Sequence, residues 1–171
     1  MISGIKTIEL ITKGHRRADF DCGRPRLNDY LKKQAYDHHQ KDITRVFVAI
    51  ADGDPSRIVG YYGLTSASIA VSELSAPMIK GLPRYPVPCV LLARLAVDIS
   101  FHKKGLGRML LAHAWRNLLD VSKTLAIKAM IVDAKDQEAI SFYQYHAFIP
   151  LTSNPMRLVL SIDAIRTFFR P

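Results

Sequence analysis

The chain has 171 residues, of which 49% are hydrophobic, and 24 Lys and Arg against 15 Asp and Glu give a formal net charge of +9. This length predicts one domain, residues 1–171, and the hydrophobic content suffices for a single core, which excludes a disordered chain. The sequence has no apolar run long enough for a membrane span and no signal-peptide pattern at MISGIKTIELITKG, so we expect a cytoplasmic protein without a membrane partner. Cys22 and Cys89 form no CxxC pair and the histidines show no metal-ligand spacing, so we expect free thiols and no metal site.

Hydrophobic periodicity predicts the element order β-α-β-β-β-α-β-α-β. The predicted strands cover residues 5–12, 44–52, 57–71, 89–98, 127–134 and 156–162, and the predicted helices cover residues 26–40, 105–120 and 136–147. GDPS, residues 53–56, predicts a hairpin turn between the second and third strands. Residues 72–88 contain four of the nine prolines, so we expect an irregular connection there. Asp136 is the expected N-cap of the last helix.

A basic turn, HKKGLG, separates the predicted strand at 89–98 from the helix that follows it. His102, Lys103 and Lys104 come directly before Gly105 and Gly107. Glycine lets the backbone approach a ligand closely because it has no Cβ, and the first N–H groups of a helix have no internal acceptor. The helix dipole and the basic side chains add positive charge, so the turn is suited to a phosphate. The alternative is an ordinary strand-to-helix turn with solvated lysines.

RLAVDISFHKKGLGRMLLAHA, residues 94–114, resembles motif A of the GCN5-related N-acetyltransferases (GNAT), although Gln or Arg is usual at the position of His102. The element order also fits that family, so the resemblance implies an α/β protein with a mixed central sheet flanked by helices. In the family this turn holds the pyrophosphate of acetyl-CoA, mostly through backbone amides, and the pantetheine arm lies along the preceding strand. The residues implied to bind acetyl-CoA are Leu95, Ala96, Val97, His102, Lys103, Lys104, Gly105, Leu106, Gly107, Arg108 and, on the last helix, Asp136.

The last predicted helix, DQEAISFYQYHAF, resembles motif B of the same family. Asp136 stands where Asn is common, and Ala147 replaces the usual Gly before Phe148. At helical spacing Ala139, Tyr143 and Ala147 share one face. The resemblance implies that Tyr143 donates a proton to the departing CoA thiolate, a role that suits a phenol with a pKa near 10. From the spacing alone, a tyrosine of the hydrophobic core is the alternative.

Further stretches of the chain are similar to the GNAT toxins of bacterial toxin–antitoxin pairs, of the TacT and AtaT type. These stretches are FDCGRPRLNDYLKKQA, GYYGLTSASI, LPRYPVP and LLARLAVD. The resemblance implies acetylation of the α-amino group of aminoacyl-tRNA, which blocks translation, and neutralisation by a ribbon-helix-helix antitoxin. It leaves the oligomeric state open, a homodimer included.

The positive charge agrees with a tRNA substrate, because Lys and Arg bind the phosphates of nucleic acids. The residues expected to contact tRNA are Lys32, Lys33, Arg45, Arg84 and Arg94, with Arg16, Arg17 and Lys41 as further candidates. For each of these taken singly, a solvated surface charge is the alternative. We find no convincing general base, and an α-amino group with a pKa near 8 needs little help to lose its proton.

Two other functions stay open at this point. An acetyltransferase for a small amine or a protein N-terminus would have a closed, acidic acceptor pocket. A GNAT-like binding module without activity would have a damaged cofactor turn or would lack Tyr143.

Overall fold

The structure, a computed structural model, describes residues 2–170. Its strands are β1 (Ile5–Leu10), β2 (Arg45–Ala51), β3 (Ile58–Ile69), β4 (Val87–Val97), β5 (Ala129–Asp133), β6 (Ile149–Pro150) and β7 (Arg157–Ser161). Its helices are α1 (Pro25–Lys33), α2 (Ala35–Gln40), α3 (Ala76–Ile79), α4 (Leu106–Val121), α5 (Gln137–Tyr145) and α6 (Ile162–Thr167). Within the described residues seven strands form one mixed sheet in the order β1-β2-β3-β4-β5-β7-β6. The predicted α/β fold with a mixed sheet is confirmed.

The chain divides into two compact units, and the first contains the residues up to Thr65 together with Ala93–Ala114. In this unit β1, β2 and β3 pair antiparallel, with the predicted hairpin between β2 and β3. Leu27, Tyr30 and Leu31 of α1 are buried at the spacing of one helix face. The buried hydroxyl of Tyr61 donates to the carbonyl of Leu27 at 2.8 Å, which ties α1 to β3.

The helix predicted at residues 26–40 is two helices in the structure. It begins one residue earlier, at Pro25, because the fixed φ of proline and its missing N–H suit the first helical position. It breaks at Gln34, where φ is −127° and ψ is −33°. After the break, α2 buries His39, whose Nδ1 accepts a hydrogen bond from the amide of Val46 at 3.1 Å. This contact with β2 is tertiary, so the spacing of apolar residues did not predict the break.

The second unit contains Ser66–Leu92 and the residues from Trp115 onward. In it β4 pairs parallel with β5, from Cys89↔Ala129 to Leu92↔Val132, while β5, β7 and β6 pair antiparallel. Its core joins buried residues of these strands, among them Ile69, Ile131 and Val159.

Two short elements near the C-terminus were not predicted. The edge strand β6 has only two residues, and α6 has only six, so neither shows a full hydrophobic period. The Ser161 hydroxyl caps α6 by accepting from the amide of Ala164 at 3.1 Å. The connection at residues 72–88 is irregular as predicted, apart from α3 and a 3₁₀ turn that starts at Val71. No helix among residues 2–170 is long and apolar enough to cross a membrane.

Candidate active site

The basic turn connects β4 to α4, as the sequence predicts. The φ angle is +85° at Gly105 and +59° at Lys103. A positive φ favours glycine because a Cβ would be strained there. The backbone of the turn therefore favours glycine at position 105 even before any ligand binds, while Lys103 adopts a positive φ despite its Cβ.

Several amide groups of the turn are free to bind an anion. Within residues 2–170 the amides of Lys103 and Gly105 donate to no acceptor. The amides of Leu106, Gly107 and Arg108 belong to the first turn of α4, where they too have no backbone acceptor. Convergent free amides at a helix N-terminus form a cradle for phosphate, so these residues fit the pyrophosphate of CoA.

His102 has no free amide, in contrast to the expectation from the family pattern. Its N–H donates to the carbonyl of Ile99 at 3.2 Å. Its side chain turns back to the end of β4, where Nε2 donates to the carbonyl of Val97 at 2.7 Å. The amide of Lys104 is also engaged, at 3.4 Å from the carbonyl of Phe101. His102 therefore stabilises the turn through its own hydrogen bonds. Any contact of Lys104 with an anion would be made by its side chain.

The strand residues predicted to hold the pantetheine arm lie beyond the part of β4 that pairs with β5. The register of β4 with β5 ends at Leu92↔Val132, and Leu95, Ala96 and Val97 follow it. No described residue of β5 pairs with them. Their backbone on this edge is therefore suited to an extended ligand, apart from the Val97 carbonyl that His102 occupies.

Asp98 is a site residue that sequence reasoning missed. It follows β4 directly and is only 5% exposed. Its carboxylate accepts hydrogen bonds from the amide of Ser100 at 3.0 Å and from the amide of Asp21 at 3.1 Å. The amide of Ile99 donates in turn to the carbonyl of Asp21 at 2.8 Å. Asp98 thus fixes the start of the basic turn against the loop before α1, and an acidic residue directly after a strand was the available signal.

In the second unit, α5 presents the predicted proton donor. Asp136 caps the helix as predicted, with its carboxylate accepting from the amide of Ala139 at 2.9 Å. The ring of Tyr143 is buried and lies edge-on to Phe142 and Phe148, with centroids 5.2 and 5.3 Å away. Among the described residues its hydroxyl has no hydrogen-bond partner. Burial raises the pKa of Tyr143 above its usual value, so the phenol keeps its proton at neutral pH.

The backbone conformation at Ala147 is one that glycine adopts more easily than alanine. Its φ is +69°, the left-handed conformation that commonly ends a helix. The amide of Phe148 donates to the carbonyl of Tyr143 at 3.0 Å, and the amide of Ala147 donates to that of Gln144 at 3.0 Å. This closure holds the last turn of α5, which carries Tyr143.

Four of the eight cations predicted as tRNA contacts already have acidic partners on the surface. The ion pairs are Arg16 with Asp19 and Asp54, Lys33 with Asp29, Lys41 with Asp37, and Arg45 with Asp42. Hydrogen bonds from the Ser56 hydroxyl and amide, and then from Arg16, lower the pKa of Asp54 to about 2. Exposed pairs of this kind contribute little stability, so a phosphate can replace the carboxylate.

Arg94, Lys32 and Arg84 differ from these paired cations. The Arg94 guanidinium stacks on the ring of Tyr30, 3.5 Å from its centroid, so it is held in place by a cation–π contact. Lys32 and Arg84 are exposed, and neither forms an ion pair within the described part of the chain. Lys32, Lys33, Arg45 and Arg94 lie in the first unit and Arg84 in the second. The residues described contain no cluster of His, Cys, Asp and Glu that could hold a metal ion.

Residues 42–150 match the model of a family described as Acetyltransferase (GNAT) domain. The chain belongs to this family of acetyltransferases, which confirms the fold and the type of reaction predicted from motif A.

The similar proteins are toxins. Over 165 residues the chain is 34% identical to a tRNA-acetylating toxin of Mycobacterium tuberculosis, which covers 96% of this chain and 97% of that protein. It is also similar to AtaT complexed with acetyl-methionyl-tRNAfMet, with 30% identity, a TM-score of 0.90, and 96% and 99% of the two chains covered. A tyrosine-to-phenylalanine mutant of AtaT, bound to the C-terminus of the antitoxin AtaR and acetyl-CoA, is 28% identical, with a TM-score of 0.83 and 96% and 98% covered. The predicted place within the toxin subgroup is confirmed.

Proposed function

We propose that this protein is an acetyltransferase toxin that transfers the acetyl group of acetyl-CoA to the α-amino group of aminoacyl-tRNA and so blocks translation. The observation that carries the proposal is the 34% identity to a tRNA-acetylating toxin over 96% of the chain. The free amides of the basic turn support it, because they fit a CoA pyrophosphate. An acetyltransferase for a small amine or a protein N-terminus is the alternative that the experiment below distinguishes.

The basic turn and the end of β4 bind acetyl-CoA in this proposal. The amides of Lys103, Gly105 and residues 106–108 hold the pyrophosphate, and residues 95–97 pair with the pantetheine arm. Asp98 and His102 position the turn through the hydrogen bonds described above. No hydrogen bond within the protein has to break when the cosubstrate binds these amides, because they are already unpaired.

Tyr143 acts as the general acid. The neutral α-amine attacks the thioester carbonyl, the carbon–sulfur bond breaks, and the thiolate takes the phenolic proton while the amine loses one proton to water. Solvent then returns a proton to Tyr143. Because the pKa of this phenol is raised, Tyr143 is protonated before each turnover.

The amine of an aminoacyl ester needs no dedicated base. A free α-amino group has a pKa near 8, and the neighbouring ester lowers it further by withdrawing electrons. A lysine side chain, with a pKa near 10.4, would stay protonated and unreactive in the same site. The proposed substrate is therefore consistent with a site in which we identify no general base.

A ribbon-helix-helix antitoxin is the proposed partner, by analogy with the complex of AtaT and the C-terminus of AtaR. The reaction would take place in the cytoplasm, where aminoacyl-tRNA is used. That residues 1–171 act as a single domain stays a prediction, and the oligomeric state stays open.

The test mixes the purified protein and labelled acetyl-CoA with a pool of aminoacyl-tRNA, and in parallel with deacylated tRNA, polyamines and peptides. We expect label on the aminoacyl group of charged tRNA and none on deacylated tRNA. Translation in vitro should stop only when acetyl-CoA is present. Label on a polyamine or a peptide, with none on tRNA, would contradict the proposed substrate and leave the acetyltransferase fold intact.

A further inference from the structure

A pocket lies in the second unit, between the chain that follows β3 and the chain that leads into β4. Ala70, Val71, Ser72, Arg84 and Pro86 line it, and its volume is about 260 Å³. Pockets for drug-sized ligands hold roughly 300–1,000 Å³. This pocket is therefore below that range but has room for one small ring, which would meet apolar walls, one hydroxyl and one guanidinium.

Arg84 is the charged group of the pocket, and it is available to a ligand. The side chain is exposed, and within residues 2–170 it makes no hydrogen bond or ion pair. Arg16, Lys33, Lys41 and Arg45, by contrast, each have a carboxylate within 4.0 Å. A phosphate on Arg84 would displace no carboxylate, so no ion pair within the protein has to break when it binds.

Tyr85, the next residue, is a large aromatic ring left in solvent. It is 67% exposed, and it stands before Pro86 and two residues after Pro83. A residue before proline is restricted to extended backbone, where successive side chains point to opposite sides. Tyr85 therefore offers a second exposed surface, between Arg84 and Pro86 in the chain, and little backbone freedom is lost when a ligand stacks on it.

We propose that Arg84, Tyr85 and this pocket bind unpaired nucleotides of RNA. One base enters the pocket, its neighbour stacks on the Tyr85 ring, and Arg84 pairs with a phosphate of the same strand. Stacking requires bases that are free of a duplex, so the site selects a single-stranded end over a helix. The inference rests on the proposed function only for the natural source of that end, the 3′ terminus of the aminoacyl-tRNA.

The combination of groups favours RNA over a protein partner. An exposed aromatic ring beside an unpaired arginine is the pattern of single-strand binding sites, where the ring accepts any base and the cation follows the backbone. The net charge of +9 adds long-range attraction for a polyanion. A protein segment would pair with the arginine only where it carries a carboxylate, whereas an RNA strand carries a phosphate at every nucleotide.

The experiment measures the anisotropy of a fluorescent RNA hairpin with an unpaired 3′ overhang and of the same hairpin with a blunt end. We expect the protein to prefer the overhang. Tyr85→Ala should weaken overhang binding about 10-fold, the effect of losing one stacked base, and should leave blunt-end binding unchanged. Tyr85→Phe should keep the preference because it retains the ring, and Ala70→Leu should reduce it by filling the pocket.

Lys80→Ala is the matched control, since this exposed lysine lies in the same connection but does not line the pocket. Equal affinity for both hairpins, or an overhang preference that survives Tyr85→Ala, would overturn the inference. A Tyr85→Ala variant that no longer binds an antitoxin peptide but still binds the RNA would overturn it as well, because the surface would then be a protein-binding site.

If Tyr85 proves necessary for binding the overhang while tRNA accepts no acetyl group, the site stands and the proposed function fails. If tRNA is acetylated equally well by Tyr85→Ala, the proposed function stands and the site fails.

Discussion

Gly60 of β3 lets the helix that carries the basic turn lie close to the sheet. A Cβ at this position would lie 3.0 Å from Cδ1 of Leu110, 3.2 Å from Cδ2 of Leu106 and 3.3 Å from the carbonyl oxygen of Ala96. Favourable contacts between carbon atoms start near 3.5 Å. The leucine side chains have room for small shifts, but the carbonyl belongs to the backbone of β4. Gly60→Ala should therefore push α4 away from the strand.

The expected loss of stability is about 1–3 kcal/mol, the usual cost of forcing a methyl group into a packed core. For a chain of this length that corresponds to a fall in melting temperature of roughly 2–12 °C. The Michaelis constant for acetyl-CoA should rise as well, because Leu106 belongs to the proposed cradle and Ala96 to the proposed pantetheine strand. Thermal unfolding measures the first effect, and steady-state rates at varied acetyl-CoA concentration measure the second.

Gly14→Ala is the control for the change from glycine itself. Its Cβ would meet only the Thr12 hydroxyl, at 3.6 Å, which is ordinary contact. Both substitutions reduce the freedom of the unfolded chain equally, which by itself stabilises by about 0.4–1 kcal/mol. A Gly60→Ala protein that melts at or above the temperature of Gly14→Ala, with normal acetyl-CoA binding, would refute the close packing of α4 on β3.

Three other outcomes follow from the site. Tyr143→Phe should lower the turnover number by about 100-fold and leave acetyl-CoA binding intact. The control Tyr145→Phe, on the same helix but 85% exposed, should keep a turnover number within about two-fold of the parent protein. Equal turnover numbers for the two variants in steady-state assays would mean that Tyr143 is only a core residue. Because burial raises the pKa of Tyr143, its acid form persists as the pH rises. The turnover number should therefore increase as the substrate amine loses its proton, with no fall up to about pH 9. A decline between about pH 8 and 9 would argue against Tyr143 as the proton donor. Ala147→Gly should raise the free energy of unfolding by roughly 1 kcal/mol, since glycine adopts a φ of +69° without strain, and a lower melting temperature would contradict that.

Local patterns in the sequence were enough for most elements and for the basic turn around Gly105. The hairpin of β2 and β3, the strand–turn–helix around Gly105 and the cap at Asp136 depend on residues close to each other along the chain. Spacing and backbone preference act over such short distances, so a single sequence contains the necessary information. The break at Gln34 was not predictable, because it accompanies a contact between His39 and Val46 on another element.

The roles of charged residues depended on the tertiary structure. By composition Arg16 and Arg84 are equivalent cations, yet Arg16 is paired with Asp54, 38 residues away, and Arg84 is free among the described residues. Asp98 was not predicted as a site residue, because the amide that it accepts from, that of Asp21, is 77 residues away in the chain. The sequence by itself determined the family, the α/β order and the glycine-containing turn between β4 and α4, since those follow from short motifs. Only the tertiary structure decided which cations are unpaired and which carboxylate stabilises the turn. Ion pairs and hydrogen bonds form over a few ångströms in space, and their partners can be far apart in the chain.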